Sequence, residues 1–299
     1  MPDYDVIIVG GGPAGLSAAL MLGRCRRRVL VCDHGRPRNA STDEVHGFLT
    51  RDGIAPAELL RLGREELKRY GVHMRHVEVV DAVPTGDGFT VTLKGGKALT
   101  SRMLLLATGV RDKLPPVEGI EKFYGKSVHH CPYCDGWEHR DEPIAIYGRG
   151  KSGVALSLSL RTWSSDVLLC SNGPARIPGA QRERLERHGV GIREEKIIGL
   201  EGKRGKLERI IFADGDPVER RAIFFSTGQG PGCDIAAKLQ CRFMRNGAIW
   251  AGKGEQTNIP GVYAAGDASR DAQLVIVAAA EGAKAALSMN AVLQARERA

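Results

Sequence analysis

Two stretches of this chain read alike, each an apolar strand followed by a G-x-G-x-x-G turn and an apolar helix. The first is Val6-Ile7-Ile8-Val9 with Gly10, Gly12 and Gly15, running on from Leu16 to Gly23. The second is Ile144-Ala145-Ile146-Tyr147 with Gly148, Gly150 and Gly153, running on from Val154 to Leu160. Downstream, each copy has another apolar strand ending in Thr-Gly: Met103 to Ala107 before Thr108-Gly109, and Ile223 to Ser226 before Thr227-Gly228. One such glycine motif is weak evidence, but two in the same context are hard to obtain by chance. The expected fold class is therefore α/β, with two Rossmann-like dinucleotide-binding domains.

The 299 residues suit about two domains. Val110 to Pro116, with two prolines and several charges, reads as one connection, and Arg242 to Trp250 as a second. Beyond it, Val262-Tyr263-Ala264-Ala265 is a strand ending in Gly266-Asp267, and a nearly all-apolar helix runs from Leu274 to Met289. A helix of that composition belongs to a core. We read it as returning to the first domain, which gives a discontinuous domain of residues 1–112 and 246–299 with residues 113–245 inserted.

Composition removes other classes. No apolar run approaches the ~20 residues of a membrane helix, and the N-terminus enters a strand at once, so a cytoplasmic protein with no membrane partner is expected. Five of the seven cysteines stand apart, which argues against a secreted disulfide framework. Only Cys131 and Cys134 form a C-x-x-C. The net charge of +8 would suit an anionic ligand, a nucleic acid or an acidic protein, and equally a solvated arginine-rich surface.

In the first motif the glycines let helix N–H groups approach a pyrophosphate, with Pro13 and Ala14 completing the turn. Asp33 ends the following strand, where a carboxylate accepts from ribose hydroxyls and repels a 2′-phosphate, so this site wants FAD or NAD. At the matching place of the second copy stands Ser171. A nicotinamide cofactor here could carry a 2′-phosphate, with Arg176 the nearby arginine and Arg149, Lys151 and Ser152 in the phosphate loop. Cys131-Pro132-Tyr133-Cys134 beside a βαβ unit reads as a redox dithiol. Lys126 and the neighbouring histidines would favour its thiolate, and Asp135 is placed to protonate a leaving thiolate. A zinc site would need a second ligand pair, which the sequence lacks, so no metal is expected. His129 and His130 taken singly read as packing or hydrogen-bonding residues. Asp267 can accept from a polyol, and the Gln273-Leu274 helix start can face a reduced flavin ring.

Together these residues resemble the low-molecular-weight thioredoxin reductases. Gly10-Gly11-Gly12-Pro13-Ala14-Gly15, Ala107-Thr108-Gly109, Cys131-Pro132-Tyr133-Cys134-Asp135-Gly136, Gly148 to Gly153 and Gly261 to Asp267 come in that family's order. The resemblance implies FAD in the discontinuous domain, NADPH in the inserted one, a homodimer, and a thioredoxin-like protein or small disulfide or dithiol as partner. It also implies Cys134 as the flavin-facing thiol, Cys131 as the exchanging thiol and Asp135 as general acid, with Arg38, Asn39 and His46 lining the flavin. Two positions depart from the family. Ser171-Asn172-Gly173 replaces its His-Arg-Arg clamp for the 2′-phosphate, and Asp271-Ala272-Gln273 keeps only the glutamine of its flavin-side pattern.

The leading expectation is a flavoenzyme that passes electrons from NAD(P)H through FAD to the Cys131–Cys134 disulfide and on to an external disulfide. Two alternatives stay open: a flavin dithiol oxidase using oxygen, and a zinc-assisted nucleic-acid-binding protein.

Overall fold

The computed structural model describes residues 2–86, 88–269 and 272–298. The chain forms two compact units. One comprises residues 1–40, 47–111 and 230–299; the other comprises 41–46 and 112–229. The second crossing thus falls at 229/230 rather than at the expected 245/246. The reason is local: Ile235–Lys238 is helical, and Ile235, Ala236, Leu239 and Cys241 bury their side chains in the same core as Ile7 and Leu104.

The discontinuous unit is built on a seven-stranded sheet ordered His73–His76, Val29–Asp33, Tyr4–Val9, Ala98–Leu106, Gly88–Leu93, Val79–Thr85, with Val262–Ala264 added to the far half of Ala98–Leu106. The strands beside Tyr4–Val9 are parallel to it, in register Val6↔Val29 and Val6↔Met103. Tyr4–Val9 is buried along its whole length, as a central parallel strand must be. The antiparallel meander from Val79 to Leu106 was not among the expected elements, although Phe89, Val91 and Leu93 alternate with Thr90 and Thr92.

The tail helix, Val275–Arg298, runs nine residues past the expected Met289. It lies on the helix Pro13–Arg24, and Gly282 lets the two backbones meet, because a Cβ there would overlap the Ala14 carbonyl. By length and composition this helix could cross a bilayer. Here it is a core helix: Ala285, Ala286, Met289 and Leu293 are buried, and Glu281 accepts a hydrogen bond from the Gly266 amide at 2.8 Å.

The inserted unit repeats the plan. Its parallel sheet is ordered Val190–Arg193, Val167–Cys170, Ile144–Tyr147, Ala222–Phe225, Val128–His129. The helix Gly150–Leu160 follows the central strand, and a separate antiparallel sheet spans Ile197–Lys203, Lys206–Phe212 and Val218–Glu219. The edge strand Val128–His129 ends just before the C-x-x-C.

Candidate redox site and dinucleotide cradles

The first glycine turn is shaped by close approach. Gly10 has φ +109° and sits against the Ala107 carbonyl, and a Cβ on Gly15 would overlap the Gly10 carbonyl. Ala107, which opens the Ala107-Thr108-Gly109 run, is thereby held on the turn. Gly12 differs: it is the N-cap of Pro13–Arg24 with an ordinary φ of −77°, and nothing lies within 4 Å of where its Cβ would be. No side chain caps that helix. An open face over an uncapped N-terminus, with its unspent N–H groups and positive dipole end, fits a diphosphate.

Around this turn the unit gathers several expected residues. The Asp33 carboxylate closes the neighbouring strand, accepting from the Gly35 amide at 3.1 Å and from Arg64 Nη2 at 3.1 Å. Gly266 packs on Ala14 of the turn. Arg38 Nη1 reaches both Asp267 Oδ2 and Gln273 Oε1 at 2.7 Å, so a cation shares one place with a carboxylate and an amide more than 200 positions further on. Asn39 and Leu274 are half-buried in the same unit. Arg64 was not foreseen, because an exposed helical arginine carries no sign of its partner in sequence. His46 belongs to the inserted unit, where its Nε2 lies 3.4 Å from both Glu44 and Glu138. Asp271 lies outside the described residues.

The second turn is buttressed by its own chain. The Gly150 amide donates to the Ala175 carbonyl at 2.8 Å. Arg149 donates from Nε and Nη2 to the Ser171 and Asn172 carbonyls, laying its guanidinium across the end of Val167–Cys170. Lys151, Ser152 and Arg176 are exposed around the turn, and Gly153 packs on Gly148. The cation at the strand end is therefore Arg149 from the glycine loop, whereas the sequence pointed to Arg176.

Cys131 and Cys134 are joined in a disulfide, their Cα atoms 5.3 Å apart. Cys131 is the N-cap of the helical turn Pro132–Asp135, and its carbonyl accepts from the amides of Cys134 and Asp135, each at 3.3 Å. Gly136 follows the turn, and the Pro132 carbonyl and the Trp163 ring both lie where its Cβ would be, so no larger residue fits there. Behind the turn lie groups the sequence did not connect. His129 Nδ1 is 3.1 Å from Asp135 Oδ1, His129 Nε2 is 3.1 Å from His139 Nε2, and His139 Nδ1 is 2.9 Å from Glu142 Oε2. Burial holds the His139 imidazole below its usual proton affinity, against the opposing pull of Glu142. Lys126 is directed elsewhere, along Gly205. Four of the other thiols are poor nucleophiles: burial pushes Cys32 up to about 11 and Cys170 up to about 12, and it raises Cys233 and Cys241 as well. Among the described residues no three His, Cys, Asp or Glu side chains form a metal cluster.

The model of the family described as pyridine nucleotide-disulphide oxidoreductase matches residues 4–282. The chain belongs to that family. It is 32% identical over 301 positions to the "Probable thioredoxin reductase" of Arthroderma benhamiae, covering 90% of this chain and 74% of that one. It is 29% identical to the thioredoxin reductase aclD of Aspergillus oryzae, across 100% and 99% of the two chains. Among solved structures, HlmI matches with a TM-score of 0.93 at 36% identity over 98% of this chain and 93% of its own. This is a thioredoxin reductase-like enzyme, a flavin-dependent disulfide oxidoreductase whose family implies FAD and NAD(P)H.

Proposed function

We propose that the enzyme takes electrons from NADPH and delivers them through FAD and the Cys131–Cys134 pair to the disulfide of a thioredoxin-like protein. FAD is assigned to the Gly10–Gly15 turn, with Asp33 on its adenosine ribose and Asp267, held by Arg38, on its ribityl chain. When bound, the flavin supplies the two-electron step that joins nicotinamide to disulfide chemistry. The chain's own residues do the rest. The helix start at Gly12 neutralises diphosphate charge, Asp33 rejects a 2′-phosphate, and Asp135 sits beside Cys134 to give a proton to its departing thiolate.

The observation that carries this reading is the closed Cys131–Cys134 disulfide on a helical turn in a chain that also holds two dinucleotide turns. A protein partner is supported by the surface beside the dithiol, where Tyr133 is 76% and Trp137 is 64% exposed, aromatics that suit a docking face. Arg149 supports NADPH over NADH, since its guanidinium lies at the end of Val167–Cys170, the strand end from which dinucleotide folds read the adenosine ribose. We further propose a cytoplasmic homodimer. Anaerobic mixing of the flavoprotein with NADPH, followed at the flavin band and then by addition of a thioredoxin-fold disulfide protein, tests the sequence of steps. Bleaching by NADPH and recovery on adding the protein disulfide are expected. Failure of NADPH to bleach the flavin, with ready bleaching by a small dithiol and reoxidation by oxygen, would favour the oxidase direction instead.

A further inference from the structure

Asp135, His129, His139 and Glu142 form one continuous line from the dithiol turn to solvent, with successive contacts of 3.1, 3.1 and 2.9 Å. The inner members are enclosed: His129 is 4% exposed, and its ring stacks near Phe224 at 5.3 Å. The outer member, Glu142, is 43% exposed. The charged groups acting on His139 are His129, Glu142 and Asp135; the strand Ala222–Phe225 presents to both imidazoles the apolar ring of Phe224.

Counting protons gives this line a function. Each of its three contacts opposes two acceptor atoms unless a hydrogen lies between them. Two neutral imidazoles bring only one N–H each, so one contact would be left without a hydrogen, either an imidazole lone pair against a carboxylate or the two Nε2 lone pairs against each other. The line is satisfied throughout only when it holds one proton more than two neutral histidines and two carboxylates supply. We propose that His129, His139 and Glu142 are a proton relay that carries one proton between solvent and Asp135 for each opening or closing of the Cys131–Cys134 disulfide.

The stoichiometry closes. Opening the disulfide breaks one S–S bond and takes up two electrons and two protons, giving two thiols. With a reduced flavin as the source of both electrons and one proton, the second proton would come down the relay to the thiolate. Closing runs the same transfer outward. Burial weakens the hold of His139 on a proton, which suits a conduit that passes its proton on rather than keeping it. His129 and His139 are positioning and relay residues; Asp135 is the member that stands on the dithiol turn itself. The inference rests on the redox reading of the dithiol.

The experiment is alkylation of the reduced holoprotein with iodoacetamide across pH, read by mass spectrometry at Cys131 and Cys134. This needs neither nicotinamide nor partner. In the wild type the dithiol profile should carry an extra inflection, as the relay loses its proton and its added negative charge holds the thiol proton more tightly. His129→Gln and His139→Gln keep a hydrogen-bonding side chain but cannot titrate. They should erase that inflection and slow disulfide turnover by ~100-fold, the scale of lost acid–base assistance. Glu142→Gln, at the exposed end and safe for folding, should move the inflection to lower pH, because the carboxylate that raises His139's proton affinity is gone. Glutamine variants that retain both the wild-type profile and turnover would overturn the relay, as would an unmoved inflection in Glu142→Gln. If instead no reversible disulfide between Cys131 and Cys134 were found at all, the redox reading itself would fall.

Discussion

The two glycine turns of this chain share a sequence pattern but differ in what they leave unspent. At the first, Gly12 faces open space above an uncapped helix, and a carboxylate, Asp33, closes the adjacent strand. At the second, the Gly150 amide is given to Ala175, and the strand end carries the guanidinium of Arg149 on two backbone carbonyls. In the proposed function, opposite charge at equivalent places sorts two dinucleotides: the acid would take an unphosphorylated ribose, and the arginine one bearing a 2′-phosphate. The glycine pattern therefore identifies a pair of nucleotide folds, while the side chain over the second strand's end assigns which nucleotide goes where.

The sharpest way to break this contrast is Gly12→Val. Because nothing lies within 4 Å of the new Cβ and φ is −77°, the apoprotein should fold normally. Only a bound diphosphate would be displaced, so the purified protein should be colourless, with FAD affinity down by roughly 1000-fold or more, about 4 kcal/mol. Wild-type flavin content in a folded Gly12→Val would show that the first turn does not hold the cofactor.

Arg149→Met sharpens the other half. Removing a charge-assisted contact worth about 1.5–3 kcal/mol should weaken NADPH by roughly 10- to 100-fold and leave NADH almost unchanged. Equilibrium titration by nicotinamide fluorescence reads both. Equal losses for the two cofactors would mean that Arg149 only shapes the loop. Arg176→Ala serves as the control and should change little, since Arg176 stands exposed beside the turn.

A smaller effect is expected from Asp33→Asn. The side chain can still accept from the Gly35 amide, but it loses its charge toward Arg64 and toward the ribose hydroxyls. FAD should be held about 10-fold less tightly, measured as flavin release on dilution. A gain in affinity would reverse the assigned role of the acid.

Much of this was legible in the residues. Strands Ile144–Tyr147 and Val167–Cys170 fall where their apolar runs place them, because central parallel strands are continuous apolar runs bounded by turn residues. The return of the tail helix was readable from its uniform apolarity, which only a core can absorb. What stayed hidden depends on long-range approach. The meander from Val79 to Leu106 was legible in part, since Phe89, Val91 and Leu93 alternate with Thr90 and Thr92, but its flanking strand Val79–Thr85 is mostly exposed and carries no such pattern. Arg64 meets Asp33 across 31 positions, and His139 reads as one more polar residue until the edge strand brings His129 to it. The second domain crossing was misplaced because Ile235 to Cys241 is a short stretch that joins a core shared with Ile7 and Leu104, more than a hundred residues earlier.

The most direct test of the account is an anaerobic reductive titration of the flavoprotein with dithionite, comparing the wild type with Cys134→Ser. Flavin and disulfide together form a two-centre electron store, and the other described cysteines are free thiols. Wild-type protein should therefore take up twice the electron equivalents per flavin that Cys134→Ser does, and the variant should lose disulfide reduction while keeping its colour. Identical uptake by the two proteins would show that Cys131 and Cys134 exchange no electrons with the flavin, and would contradict the account.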